Sequence, residues 1–380
     1  MFKNITDFIK SLYPDENTIP LHAPRFLGNE KKYLLDCIDS TFVSYVGQYV
    51  SRFEDEIRQF SGAKYCVAVS TGTAALHISL LLADVAPDTE VITQPLTFVA
   101  TANAISYCGA YPVFVDVEKS TLGLDPDKLN EFLSEYAIIK SDGHCYNKKT
   151  RRMITACVPM HTLGHPVRID HIIEICSKHH IPVIEDAAEA LGSFYKGQHA
   201  GTFGVFGILS FNGNKPVTTG GGGMIITNDE KLAAKAKHLT TTAKKPHPFE
   251  FVHDMVGYNY RMPNINAAVG CAQMERFADV LENKRVTAHK YKNFFNKIGV
   301  SFVVEPANCQ SNYWLNSIIL KDRQERDQFL AYAADNGVQA RPVWTLMPKL
   351  PMFSHFKSEH IETAQWLEDR LVNIPSSVRM

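Results

Sequence analysis

Short runs of apolar and β-branched residues alternate with segments of helical spacing between about residue 64 and residue 228. The runs predict strands at "KYCVAVS", "EVITQ", "YPVFVDV", "MITACVPM" and "IPVIED", with "GILSFN" and "GMIITN" close behind. The intervening segments, such as "GTAALHISLLLADV" and "DPDKLNEFLSEYA", predict helices. Continuous apolar strands separated by helices are typical of a mostly parallel sheet covered on both faces, so we predict an α/β fold.

The pattern changes after about Arg261, where long helical segments run to about residue 299. A strand, "SNYWLNSIIL", a helix, "DRQERDQFLAYAADNG", and a final helix, "HIETAQWLEDRLV", follow. We therefore predict an N-terminal arm with a large domain over residues 1–255, and a smaller α+β domain over 256–380. Within the large domain, the polar stretch "SDGHCYNKKTRR" predicts an exposed loop or a hairpin insert.

Composition narrows the class of protein mainly by exclusion. The chain has 380 residues, 45% of them hydrophobic, and a formal net charge of −1. The sequence contains no cluster of positive charge typical of nucleic-acid binding and no apolar stretch long enough to span a membrane. We therefore expect binding neither to nucleic acid nor to a membrane. None of the eight cysteines forms a CxxC pair. We expect reduced thiols, a cytoplasmic location and no metal site.

Ligands of open α/β sheets bind at the carboxyl ends of the strands, so the residues that follow each predicted strand are candidate site residues. After the first strand, "VSTGTAALH" places Ser70, Thr71, Gly72 and Thr73 directly before a helix. Small residues at a helix N-terminus leave backbone N–H groups free, and the helix dipole favours an anion. The stretch is therefore a candidate phosphate site, although an ordinary N-cap needs only Ser or Thr.

The strand "IPVIED" ends with Glu185 and Asp186, which would face the same crevice. Asp186 could bind a protonated ring nitrogen or a metal. The alternative is that this residue only caps the following helix.

Lys215 stands in "SFNGNKPVTT", between two predicted strands and shortly before four glycines. A phosphate-binding P-loop is excluded, because Pro216 follows the lysine where a Ser or Thr should begin a helix. A surface turn would explain the lysine but not its combination with a phosphate site and a crevice aspartate. Those three features together suit pyridoxal phosphate, whose phosphate, ring nitrogen and aldehyde need such partners. The glycines would let the backbone turn tightly beside the cofactor.

From "IPLHAPRFLGNEKKY" to "NIPSSVRM", these motifs resemble the DegT/DnrJ/EryC1/StrS family of sugar aminotransferases. The resemblance implies the fold-type I architecture, with a mostly parallel seven-stranded sheet between helices, and a homodimer with shared active sites. It implies that Lys215 forms the Schiff base with the cofactor and that Asp186 binds the pyridine nitrogen. The other cofactor contacts that it implies are Gly72, Thr73, Phe98 stacked on the ring, Ser210 at the phosphate, and Asn259 from the partner subunit.

Four positions depart from the usual pattern of this family. Glu189 replaces the common Gln or His near the ring hydroxyl, and Trp314 replaces a frequent histidine. Gly221 stands where many members carry an acidic residue, and Pro348 stands where histidine is common. These departures leave the cofactor contacts intact and concern the sugar side of the site.

The stretches "VSYVGQYVSRFE" and "SFNGNKPVTTGGGGMI" resemble the LegC-type branch most closely. That branch implies transfer of an amino group, from L-glutamate, to C4 of UDP-4-keto-6-deoxy-N-acetylhexosamine, on routes to nonulosonic acid or bacillosamine-type sugars. Arg261 and Arg341 could bind a substrate anion there or form ordinary ion pairs. A pyridoxamine-dependent sugar dehydratase, and a cofactor-binding protein with a silenced site, remain as alternatives.

Overall fold

A computed structural model describes residues 1–356 and 360–379. The first half of the chain contains helices α1 (Phe2–Leu12), α2 (Glu30–Asp39), α3 (Gln48–Ser61), α4 (Gly72–Leu82), α5 (Val99–Tyr107), α6 (Pro126–Tyr136) and α7 (Ile169–Lys178). The second half contains α8 (Glu230–Thr240), α9 (Asn264–Met274), α10 (Phe277–Ile298), α11 (Arg323–Asp335) and α12 (Glu362–Glu368).

The strands follow the predicted alternation. The first group is β1 (Tyr65–Val69), β2 (Glu90–Thr93), β3 (Tyr111–Phe114), β4 (Ala137–Ile139), β5 (Cys145–Asn147), β6 (Ile154–Val158), β7 (Ile184–Asp186) and β8 (Phe194–Tyr195). The second is β9 (Gln198–His199), β10 (Phe206–Ser210), β11 (Gly223–Thr227), β12 (Ser301–Phe302), β13 (Cys309–Gln310), β14 (Asn316–Ile319), β15 (Arg341–Pro342) and β16 (Leu371–Ile374).

The large sheet has the order β3-β2-β6-β7-β10-β11-β1. Parallel bridges from Cys157 to Val183 and from Met160 to Asp186 join its two parts between β6 and β7. Only β11 runs antiparallel to its neighbours, β1 and β10. This arrangement confirms the predicted mostly parallel seven-stranded sheet. It brings the carboxyl ends of β1, β7 and β10 to one edge.

Each half of the chain contributes a helix to the core that is formed mainly by the other half. Ile5 and Ile9 of α1 pack with Tyr291, Phe295 and Phe329, in the core around the antiparallel sheet β12-β14-β16-β15. Conversely, α9 packs against α2 and α3 in the core on the large sheet. The boundary at residue 255 stays a prediction, and the chain crosses between the two cores after α1 and again along α10.

The polar insert forms a hairpin of β4 and β5, one of its two predicted forms, and Asn147 on it donates a hydrogen bond to Glu90 Oε2. The final helix is shorter than predicted, because Leu371 and Val372 belong to β16. That strand lies buried between β14 and β15, so ladder pairing and burial outweigh the helical spacing of these residues.

Candidate active site

The N-terminus of α4 lies against the ends of β10 and β11. Thr71 caps the helix by accepting a hydrogen bond from the Ala74 N–H at 3.0 Å. A side-chain carbon on Gly72 would lie 3.0 Å from Ser210 Cβ, and one on Gly223 would lie 2.4 Å from the Thr71 backbone. Glycine at both positions therefore permits this close approach. The first N–H groups of α4, including that of Thr73, have no partner within the helix, so an anion can bind beside the Ser210 hydroxyl.

Asp186 ends β7 and is almost completely buried. Thr101 Oγ1 donates a hydrogen bond to its Oδ2 at 2.6 Å, and the Ala188 N–H donates to Oδ1 at 3.2 Å. Burial raises the pKa of Asp186, while these hydrogen bonds and the charge of Lys215 oppose the rise. A protonated ring nitrogen beside the carboxylate would favour its charged form further.

Lys215 follows β10 and is buried, which excludes the surface-turn alternative. Its Nζ lies 3.2 Å from Glu189 Oε1 and 3.7 Å from the centroid of the Trp314 ring. The Trp314 indole N–H donates to the carbonyl of Asn214, the residue before the lysine, at 2.7 Å. The amine is therefore held between a carboxylate and an aromatic face.

Glu189 carries the most strongly perturbed carboxyl of the site. Burial raises its pKa from 4.5 to about 7, although Lys215 and a hydrogen bond from the Leu163 N–H lower it. A carboxyl group that titrates near neutrality can donate or accept a proton during turnover. Glu189 thus places an acidic group that titrates near neutrality at this position.

Three further residues predicted for the site are Phe98, Asn259 and Arg341. Phe98 caps α5, is half exposed and meets Trp344 edge-on. Asn259 is exposed and pairs with Thr241 in an isolated bridge. Arg341 is exposed on β15.

Arg261 is buried and does not point freely into the crevice. Its Nη2 lies 3.1 Å from Glu54 Oε1, in agreement with the ion-pair alternative. Its Nε and Nη1 have no hydrogen-bond partner within the described chain. Two donors are therefore left for a group from outside this chain.

Some contacts at the site were missed from sequence. Thr101 lies one helical turn after Phe98, but its contact with Asp186, 85 residues away, depends on tertiary packing. His161 forms a buried contact with Glu185 at 3.0 Å. Glu185 also accepts the N–H groups of Gly201, Phe203 and Gly204. No sequence spacing indicates these contacts, because the loop after β9 supplies them.

The residues fit pyridoxal phosphate on three counts. The close approach at Gly72 and Ser210 forms a site for a phosphate, and the buried Asp186 carboxylate suits a cationic ring nitrogen. The amine of Lys215 is buried with them in one crevice, where it could bond an aldehyde.

Among residues 1–356 and 360–379, no helix is both long enough and apolar enough to cross a membrane.

Comparison with known proteins agrees with this geometry. Residues 26–380 match the model of the DegT/DnrJ/EryC1/StrS aminotransferase family. The GDP-perosamine synthase of Escherichia coli O157:H7 is 37% identical over 358 residues, which cover 94% of this chain and 93% of that protein. This chain belongs to the DegT/DnrJ/EryC1/StrS family. It is a sugar aminotransferase that uses pyridoxal phosphate.

Solved structures show the same fold. The aminotransferase TlmJ from Streptoalloteichus hindustanus, 26% identical, matches with a TM-score of 0.85 over 94% of this chain and 93% of that one. PseC of Helicobacter pylori, an aminotransferase involved in pseudoaminic acid biosynthesis, is 23% identical. It matches with a TM-score of 0.84 over 94% of this chain and 93% of its own. The fold-type I architecture is therefore confirmed.

The raised pKa of Glu189 predicts a pH-dependent stability in the cofactor-free protein. The folded chain binds more protons than the unfolded chain between the ordinary pKa of 4.5 and the folded value of about 7. Stability from this group is thus present at low pH and is lost as the pH rises through 7. Replacing Glu189→Gln should stabilise the protein relative to wild type by about 1–3 kcal/mol more at about pH 8 than at about pH 5.

Urea denaturation of both proteins at each pH measures this difference. Glu131→Gln is the matched control, because that carboxylate is 65% exposed and forms an exposed ion pair with Lys128 at 2.8 Å. A difference between Glu189→Gln and wild type that stays constant with pH would contradict the assignment.

Proposed function

We propose that the enzyme transfers an amino group, from L-glutamate, to C4 of a nucleotide-linked 4-keto-6-deoxy sugar. The preferred substrate is UDP-4-keto-6-deoxy-N-acetylhexosamine, in surface-glycan or nonulosonic acid and bacillosamine-type sugar synthesis. The LegC-type motifs support this substrate, and the name of the E. coli relative supports a nucleotide-linked sugar in general. The observation that carries the proposal is the buried Lys215 amine, which lies 3.2 Å from Glu189 and close enough to the buried Asp186 for its charge to lower the pKa of that carboxyl.

The roles of the residues follow from their positions. Bound pyridoxal phosphate supplies an aldehyde that bonds amines and a ring that accepts electrons. Ser210 and the N-terminus of α4 hold the phosphate, while Asp186 keeps the proton on the ring nitrogen. Thr101 fixes the orientation of that carboxylate through the 2.6 Å hydrogen bond.

Lys215 moves the proton of the reaction. With the cofactor and donor bound, a neutral Nζ would remove the proton from the α-carbon of glutamate and return it to the cofactor carbon that keeps the amine. In the second half of the reaction, Nζ would take a proton back from that carbon and deliver it to C4 of the sugar. Glu189, 3.2 Å away, can exchange protons with Nζ between the two halves. Trp314 covers Nζ and limits the access of water.

Replacing Lys215→Arg tests the catalytic lysine. Arginine keeps the positive charge beside Glu189 but does not lose its proton near neutral pH. We expect amino transfer to fall by about 1000-fold or more, with an unchanged urea midpoint. Lys231→Arg, on the exposed face of α8, is the matched control. Normal turnover by Lys215→Arg would refute the assignment.

The mass of the wild-type product separates the alternatives. An aminotransferase exchanges a keto oxygen for an amine on the sugar, whereas a dehydratase removes water. A silenced protein binds pyridoxal phosphate but transfers no amine.

We further propose a cytoplasmic homodimer in which Asn259 reaches the phosphate of the partner's site. Exposed apolar residues support such an interface, and they include Phe42 and Val46 after α2, and Phe249, Phe251 and Val256 before Asn259. Phe249 is 89% exposed and Val256 is 82% exposed, which is unusual for the surface of a monomer. The partnerless donors of Arg261 lie two residues beyond Asn259 and could be satisfied across the same interface.

Mixed dimers test the shared site. Lys215→Ala and Asn259→Ala each impair every site of their own homodimers. In a mixed dimer, one site combines an intact Lys215 with an intact Asn259. Random exchange should therefore restore about a quarter of wild-type activity, measured at limiting pyridoxal phosphate. A mixture of Lys215→Ala with Lys215→Arg is the control and should restore none. Without recovery in the first mixture, the shared site is wrong.

A further inference from the structure

A second buried lysine, Lys284 on α10, lies near the site without contacting Lys215 directly. It is 1% exposed. Its Nζ donates hydrogen bonds to the carbonyls of Ser376 at 2.7 Å and Trp314 at 3.1 Å, and lies 3.0 Å from His22 Nε2. One amine thus connects three segments that are far apart in sequence.

The surroundings of Nζ suit an ammonium group. Burial and the charge of Lys284 keep the pKa of His22 well below its usual range, so the neutral imidazole can accept a hydrogen bond. Three acceptors match the three protons of an ammonium. Burial lowers the pKa of Lys284 to about 7. None of the three partners carries a compensating negative charge, so this cation is costly to bury.

Two routes connect Lys284 to the residue before the catalytic lysine. In the first, Lys284 holds the Trp314 carbonyl, the Trp314 indole donates to the Asn214 carbonyl, and its ring covers Lys215 Nζ. In the second, the imidazole of His22 lies near the Asn214 backbone, although its Nδ1 has no hydrogen-bond partner among the described residues. Both routes end at the peptide that carries Lys215 into the crevice.

We propose that Lys284 is a positioning residue for the aminotransferase reaction, holding Trp314 and His22 so that Asn214 presents Lys215 to the cofactor. The inference rests on the proposed role of Lys215 as the cofactor-binding lysine. Hydrogen bonds from a charged donor are stronger than neutral ones, and losing this donor leaves two buried carbonyls unsatisfied. Trp314 and the turn that carries Lys215 would then be held less firmly in one position.

The test follows how fast cofactor-free protein captures added pyridoxal phosphate, read from the visible absorbance of the lysine-bound cofactor. Lys284→Met keeps an unbranched side chain but donates no hydrogen bond. We expect capture to slow by about tenfold, because Lys215 is no longer presented in one orientation. Tyr291→Phe is the matched control. It removes a buried 2.9 Å hydrogen bond from the same helix to the Pro375 carbonyl, and capture should stay within about twofold of wild type.

Trp314→Phe provides the second arm, since it removes the indole N–H and leaves Lys284 in place. The proposal predicts slower capture by Trp314→Phe, and a combined rate loss in the double variant smaller than the product of the single losses. Wild-type capture by both Trp314→Phe and Lys284→Met would overturn it, as would equal slowing by Tyr291→Phe. If Lys284→Met does not fold, Trp314→Phe alone decides. A wild-type protein without the visible band would instead refute the role of Lys215.

Discussion

An ammonium group is costly to bury, and the active site depends on how this fold keeps the amine of Lys215 inside it. Glu189 lies 3.2 Å from Nζ and Trp314 covers it. The same burial raises the pKa of Glu189 to about 7, so this carboxyl can take up or release a proton near neutral pH. The contact with Lys215 opposes that rise, so burial is the cause of the raised value.

The parallel sheet explains why residues far apart in sequence meet in one crevice. Strands β1, β7 and β10 end at one edge, and each is followed by a different functional group. The antiparallel β11 lies between β1 and β10 and brings the glycine-rich run against the start of α4. A phosphate site, a carboxylate and a lysine are thereby presented to one ligand by rigid elements.

The large sheet could be predicted from sequence because each of its strands is a short apolar run bounded by turns and helices. Sequence reasoning also placed Asp186 and Lys215, since each directly follows such a run. It failed for β16, whose residues follow helical spacing but pair with β14 and β15. Contacts such as Thr101 with Asp186, or Lys284 with Trp314, depend on tertiary packing between distant segments. Helical spacing places Lys284 on the buried face of α10 with Ala288 and Tyr291, but its hydrogen-bond partners come from distant segments.

The central claim is that Lys215 binds pyridoxal phosphate and takes part in amino transfer. The most direct measurement is the absorbance spectrum of the purified protein, loaded with pyridoxal phosphate, before and after addition of L-glutamate. The account predicts a visible band from the lysine-bound cofactor that bleaches to a near-ultraviolet band as the amino group is transferred. Absence of any visible band after incubation with pyridoxal phosphate would contradict it.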